Sequence, residues 1–420
     1  MSTRVVRFSY DIVCPYAWVA STQVEALAAR HGATVDWDPI LLGGVFRALQ
    51  SPDVPAATWA PQKAVLGLQD VHRQAALAGL DLRFAEGHPR RSVDAMRLCA
   101  LATGATRVAV TAALYQAYWQ QGRDISDMAV LAEIATAHGL ELADAQSDAV
   151  RQELRARTDA AVGRGVFGVP TLQIFEDGEA VGDLHWGSDR LHLVEGELAG
   201  HPVSPEPAPV PGAPPMRVTV FHDMASPYAY LGMTQASRVA EAHGAELVSR
   251  PILLGALFRD IGTPIVPLFA MNRSKQQWYA AELARWAAFW GVDYAFPSCF
   301  PVRSVTALRA SIVAPACTMP LYRALWVDGL DIGQDDVVKD VLEGRGLDAE
   351  AVLAQTRTAD VKAVLKDNTS AAQALGVCGV PSFVVERLDG TGEPVVLWGQ
   401  DRIFQLAHVL RGWVPPKGSI

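Results

Sequence analysis

Residues 168–186 read GVPTLQIFEDGEAVGDLHW, and residues 379–398 read GVPSFVVERLDGTGEPVVLW. Each is a β-hairpin in pattern, entered through Gly-Val-Pro. In the first, Asp177-Gly178 supplies a two-residue turn of the kind that needs positive φ at both central positions. Upstream of each hairpin lies a long alanine-rich helical stretch, roughly 59–163 and 268–375. Before that stretch comes a short strand, VVRFSY (5–10) or RVTVFH (217–222). A helix follows, from Pro15 to Arg30 or from Pro227 to Ala242, with proline suited to the first helical turn. His31-Gly32 and His243-Gly244 end these helices with a glycine cap. The second strands are TVDWD (34–38) and ELVSR (246–250), and closing helices start near Asp189 and Asp401. The order in each half is β-α-β, a helical insertion, then β-β-α, which is an α/β fold.

The two halves are copies. PILLGGVFR at 39–47 returns as PILLGALFR at 251–259, with seven of nine residues identical and a spacing of 212 residues. The same spacing relates Pro15 to Pro227, Pro89 to Pro301 and Asp189 to Asp401; only Pro170 and Pro381 depart from it, by one residue. A repeat this long is a duplicated domain, not a solenoid. Residues 201–215, HPVSPEPAPVPGAPP, form a proline-rich linker of extended character. The organisation is therefore domain 1–200, linker 201–215 and domain 216–420. One difference between the copies stands out: Cys14 in DIVCPYAW corresponds to Ser226 in DMASPYAY.

Composition narrows the function classes. The chain of 420 residues is 50% apolar and 19% charged, with a net charge of −9. That balance argues against a nucleic-acid partner, which calls for a basic face. No apolar run has the length of a membrane span, and MSTRVVRFSYD lacks the apolar core of a signal peptide, so a cytoplasmic protein is expected. The five cysteines include no C-x-x-C pair, which argues against structural zinc and a local dithiol cycle; no metal is expected. Their odd number suggests reduced thiols, with Cys99, Cys299 and Cys317 as small buried apolar residues.

The element order, with Val-Pro entering the third strand, resembles the thioredoxin fold with an all-helical insertion. Five motifs present in both copies resemble the family of kappa-class glutathione transferases and 2-hydroxychromene-2-carboxylate isomerases, within the DsbA-like group. The resemblance implies that Ser226 hydrogen-bonds the glutathione sulfur. A helix N-terminus favours negative charge there, although serine at this position is also an ordinary N-cap. Cys14 falls where DsbA-like oxidoreductases carry the attacking thiol, while Ala17 occupies the resolving position. Two readings of Cys14 stay open: a reactive thiol with a depressed pKa, or a passive replacement for serine. In APQKAVLGLQDVHR and NRSKQQWYAAELAR, Lys63 and Lys275 match a glutathione-binding lysine of the kappa class. Pro170 and Pro381 match the cis-proline, whose preceding Val169 or Val380 backbone pairs with the cysteinyl group. In WGSDR and WGQDR, Asp189 and Asp401 match an aspartate for the γ-glutamyl ammonium, with Ser188 or Gln400 on the carboxylate.

This sequence departs from the family in two places. After PILLGGVFR and PILLGALFR, many relatives have Gly-Asn where this chain has Gln50-Ser51 and Gly262-Thr263, leaving Ser51 and Thr263 as candidate polar contacts. In HPRRSVDAMR and FPVRSVTALR, Arg91 and Arg303 stand where isomerases often carry a substrate-facing asparagine, and an arginine could grip a substrate carboxylate in a bidentate fork. The resemblance implies a glutathione-dependent isomerase or transferase acting on a small aromatic or unsaturated organic acid. The fused copies imply an intramolecular pseudo-dimer. The alternatives are a monothiol thiol-disulfide oxidoreductase using Cys14 and a non-catalytic thioredoxin-like binding module.

Overall fold

The computed structural model describes residues 4–418. Strand β1 (Arg4–Tyr10) forms around Val6, Phe8 and Tyr10, whose side chains are wholly buried. Strand β2 (Thr34–Pro39) runs parallel to it, with Val6 opposite Val35, as a helical crossover permits. On the other side β3 (Thr171–Glu176) is antiparallel, with Phe8 opposite Leu172. Two short strands, β4 (Glu179–Ala180) and β5 (His185–Trp186), pair with β3. The second sheet repeats the plan with β6 (Met216–His222), β7 (Glu246–Pro251), β8 (Ser382–Arg387) and β9 (Val395–Trp398), in the order β7-β6-β8-β9. The Asp177-Gly178 turn has φ of 50° and 89°, as a tight hairpin requires.

The first helix of each half differs. Pro227–Ala242 is continuous, but the expected Pro15–Arg30 helix is split into Pro15–Ser21 and Val24–Arg30. The cause is local. Ser21 turns its hydroxyl onto the Trp18 carbonyl at 2.6 Å, which competes with the helical ladder, whereas Thr22 bonds back to Val19 at 2.9 Å just as Thr234 bonds back to Leu231 at 2.6 Å in the unbroken helix. The second copy has Met233 where Ser21 stands, and its helix runs on.

The helical insertions are fastened to the loop that follows the first strand. Trp119 donates its indole N–H to the Ile12 carbonyl, and Trp326 donates to that of Met224, each at 2.8 Å. Beside these carbonyls sits a buried carboxylate. Asp11 accepts from the Leu42 N–H, the Val13 N–H and the Ser92 hydroxyl; Asp223 accepts from Leu254, Ala225 and Ser304 in the same way. One side chain thus ties together the thiol loop, the exit of the second strand and the Arg91 or Arg303 motif.

The halves share an interface. Leu66 and Leu193 of the first half belong to the apolar core of the second. The Pro61–Leu77 helix lies against β9, where Arg73 donates to the Val396 carbonyl at 2.8 Å. In the mirrored position, Trp278 of the Arg273–Trp290 helix donates to the Leu184 carbonyl at 2.9 Å. No helix among the described residues is long and apolar enough to cross a membrane.

Candidate functional site

The peptide bonds Val169–Pro170 and Val380–Pro381 are cis, as are His88–Pro89 and Phe300–Pro301. Each of the first two brings a valine carbonyl against the start of the first helix of its half. In the second half, the Ser226 hydroxyl lies 3.3 Å from the Val380 carbonyl and accepts from the Ala229 N–H at 3.2 Å. Ser226 is therefore an N-cap whose hydroxyl also faces the cis-proline loop. In the first half, the Cys14 sulfur lies 3.1 Å from the Val169 carbonyl.

Of the two readings of Cys14, the reactive one calls for a depressed pKa at the helix N-terminus. Burial pushes the thiol up to about 12, with help from the Asp11 carboxylate, and outweighs the favourable N–H groups of Ala17 and Tyr16. Only 8% of the residue is exposed. Asp11 is itself pushed up to about 6 by burial, against its hydrogen bonds from Leu42, Val13 and Ser92. Cys99 and Cys317 are buried as expected, whereas Cys299 is half-buried.

The lysines cross between halves. Lys63 lies 4.7 Å from the ring centre of Trp59 in its own half and 5.7 Å from that of Trp398, and its neighbourhood includes Cys378, three residues before Pro381. Lys275 lies 4.8 Å from the ring of Trp186 and 5.8 Å from that of Phe167, the counterpart of Cys378. Neither lysine pairs with a carboxylate among the described residues. Burial, and then repulsion from Lys63, brings Lys275 down to about 8; burial also lowers Lys63. Each tryptophan is held beside its cis-proline strand, with Trp186 opposite Thr171 and Trp398 opposite Ser382. The glycines of Gly-Val-Pro permit this, because a Cβ at Gly168 or Gly379 would come within 2.7 or 2.6 Å of the indole nitrogen.

Asp189 and Asp401 occupy the centre of the interface, where two arginines share them. Arg190 contacts Asp189 at 2.7 Å, Asp401 at 2.8 Å and Glu282 at 2.6 Å. Arg402 contacts Asp70 at 2.6 Å, Asp189 at 2.6 Å and Asp401 at 3.3 Å. Burial alone would raise the Asp189 carboxyl, but Arg190 and Arg402 outweigh it and hold the group down at about 2. Asp70 and Glu282 are equivalent positions in the two copies, as are Arg190 and Arg402, so the cluster has two-fold pseudo-symmetry. A ligand ammonium arriving here meets carboxylates already shared with arginines.

The remaining predicted residues are less convergent. Ser188 is buried and donates to the Gln74 amide oxygen at 2.5 Å. Gln400 is wholly buried, its oxygen taken by the Trp290 indole at 3.0 Å, while its amide nitrogen has no partner among the described residues. Ser51 accepts from Asn272 of the second half at 3.3 Å. Thr263 is half-buried, with its N–H on the Phe258 carbonyl. Arg91 and Arg303 are exposed and form no ion pair among the described residues. Sequence reasoning missed Asp11, Asp223, Arg190, Arg402, Asp70, Glu282, Trp186 and Trp398. The duplicated WGSDR and WGQDR motifs contained a signal for the arginines, since the Asp-Arg pair recurs intact.

A thioredoxin-like sheet, a cis-proline beside a helix N-terminus and an inserted helical domain, each present twice, define a tandem thioredoxin-fold protein. The chain belongs to the DSBA-like thioredoxin domain family, whose model matches residues 5–199 and again 217–411. It is 28% identical over 207 residues to a 2-hydroxychromene-2-carboxylate isomerase from Sphingobium xenophagum, covering 47% of this chain and 98% of the isomerase. It is also 28% identical over 225 residues to glutathione S-transferase kappa 1 from Rattus norvegicus, covering 49% of this chain and 97% of the transferase. A solved 2-hydroxychromene-2-carboxylate isomerase structure aligns with a TM-score of 0.41 and 22% identity over 46% of this chain and 94% of that one.

Proposed function

We propose that this protein is a glutathione-dependent isomerase or transferase acting on a small aromatic or unsaturated organic acid, with its serine-type site in the second half. The observation that carries the reading is the Ser226 hydroxyl, which caps the Pro227–Ala242 helix while facing the Val380 carbonyl beside cis-Pro381. The donor set suits a thiol tripeptide: a hydroxyl and helix N–H groups for sulfur, an extended valine backbone for the peptide, and an unpaired lysine for a carboxylate. When bound, glutathione supplies a sulfur nucleophile that adds to an electron-poor carbon.

The chain's own residues then have separable tasks. Ser226 donates its O–H toward the sulfur and, with the helix N-terminus, favours the thiolate over the thiol. Val380 aligns the tripeptide as an added strand would. Lys63 reaches across from the first half as a cation held over Trp398, and Arg402 and Asp401 fix the interface end of the site. Arg303 is exposed and without an ion pair among the described residues, which suits it to a substrate carboxylate. The first half has the same plan around Cys14, with Lys275 supplied by the second; residues 201–215 join the two as an intramolecular pseudo-dimer. The burial of Cys14 weighs against a resting thiolate and hence against a monothiol redox enzyme.

Calorimetric titration of glutathione into wild type, Ser226→Ala and Cys14→Ala, with intact mass on each, tests the proposal. Reversible binding weakened by Ser226→Ala, without added mass, supports it. A glutathione adduct that forms from oxidised glutathione and vanishes in Cys14→Ala replaces it with redox chemistry. Absence of both heat and adduct removes both and leaves a binding module.

A further inference from the structure

The Pro61–Leu77 helix also borders a second cleft that neither thiol site uses. This cleft has a volume of 710 Å³, within the roughly 300–1,000 Å³ typical of small-molecule sites. Its walls come from both halves: Val65 and Leu66 on the helix, Leu375 and Val395 opposite, and the tail segment 414–417 as a flank. None of Cys14, Ser226, Val169 or Val380 lines it.

The charge in this apolar cleft is Arg73. The residue is 5% exposed, and two of its nitrogens donate to the Val396 carbonyl and the Gln69 side chain. Its Nε has no partner, and no carboxylate pairs with it among the described residues. Asp70, one turn away, spends both oxygens on Arg402, Gln74 and Gln405. Glu393 and Lys417 at the rim pair with each other at 2.8 Å. The other copy shows what a satisfied version looks like. Arg285, equivalent to Arg73, pairs with Glu282 at 2.9 Å and with Asp183 at 3.2 Å. The position equivalent to Asp183 is Val395, in the wall of the cleft. Burial disfavours this guanidinium, Asp70 offsets that only at a distance and against the repulsion of Arg402, and an anionic ligand would relieve the remaining cost.

We propose that this cleft binds a small organic carboxylate with an apolar body, its carboxylate on Arg73 and its body against Val65, Leu375 and Val395. Gln62, whose buried amide oxygen has no partner, accepts from a hydroxyl or N–H on such a ligand. The site exists in one copy only, because only there does valine replace the neutralising aspartate. It does not depend on the thiol chemistry proposed above.

Titration calorimetry of the full chain with 1-naphthoate, and with neutral 1-naphthylmethanol as its matched control, tests this site. In an Arg91→Met/Arg303→Met background, which removes the proposed substrate grips, one naphthoate per chain should bind, at least about tenfold tighter than the alcohol, as a charge-assisted pair requires. Arg73→Met should erase that preference. Val65 is 55% exposed, so Val65→Glu leaves the core intact while placing a carboxylate in the cleft; it should abolish naphthoate binding. Ser226→Ala should bind naphthoate as wild type does. Equal binding of acid and alcohol, wild-type affinity in Val65→Glu, competition by glutathione, or no heat up to millimolar naphthoate each overturn the proposal.

Discussion

Lys275 of the second half stands 4.8 Å from the ring centre of Trp186 in the first half, and Lys63 makes the reciprocal approach to Trp398. On the proposed reading, each thiol site is completed by the other copy. Lys275→Met should weaken thiol binding in the Cys14 half, and Lys63→Met in the Ser226 half, each by about tenfold, or ~1.4 kcal/mol. Glutathione titrations in Ser226→Ala and Cys14→Ala backgrounds separate the sites. Each lysine acting on its own half would refute the crossed arrangement. Because Lys275 loses its proton near pH 8, affinity of the Cys14 half for an anionic ligand should fall as pH rises through that value. Lys275→Met should flatten that dependence.

Arg190 bonds at 2.6 Å to Glu282, a carboxylate wholly buried in the other half. Removing one member of a buried pair strands the other, at a typical cost of about 3–5 kcal/mol. Arg190→Ala should lower the urea midpoint accordingly, and Arg402→Ala should do likewise through Asp70. A loss no larger than that of an exposed pair such as Arg83–Asp81 would show that the cluster is not what joins the halves.

Cys14 is buried and its thiol stays protonated at neutral pH. Iodoacetamide should therefore modify the half-buried Cys299 first and leave Cys14 untouched until the chain is unfolded in guanidinium. Peptide mapping after brief exposure decides this. Preferential labelling of Cys14 would mean that the loop opens and would revive the redox reading.

Acid should destabilise the fold well before the carboxylate pairs titrate. Burial takes His222 and His192 down to about 3, far below the ~6.5 of an unfolded histidine. Between those values the unfolded chain binds protons that the folded chain refuses, so stability falls with pH by about 1.4 kcal/mol per unit for each histidine. Asp11, raised to about 6, acts in the opposite sense, since its protonated form suits the folded state. Urea midpoints measured from about pH 7 down to about pH 4 should show the decline, and His222→Gln should make it shallower. Equal slopes in the two proteins would exclude His222 as a contributor.

The strands, the hairpin turn and the helix starts were legible because they depend on neighbours in the chain. Asp177-Gly178 must turn wherever it stands, and Pro227 must begin a helix more readily than continue one. The split helix at Ser21-Thr22 was missed although its cause is equally local, because a hydroxyl that bonds back to the preceding turn leaves the apolar pattern unchanged. The two readings of Cys14 stayed open in the sequence for a different reason. A helix N-terminus lowers its pKa, but the burial that raises it is a property of the packed loop, not of the residues DIVCPYAW.

The duplication, the α/β order and the family follow from the amino-acid sequence, since repeats and periodicity survive without coordinates. The assignment of Lys63 to Trp398, the sharing of Asp189 and Asp401 between two arginines, and the stranded charge of Arg73 do not. Each depends on how the surfaces of the two halves meet. Residues hundreds of positions apart become partners there through shape and charge complementarity, which no local pattern encodes.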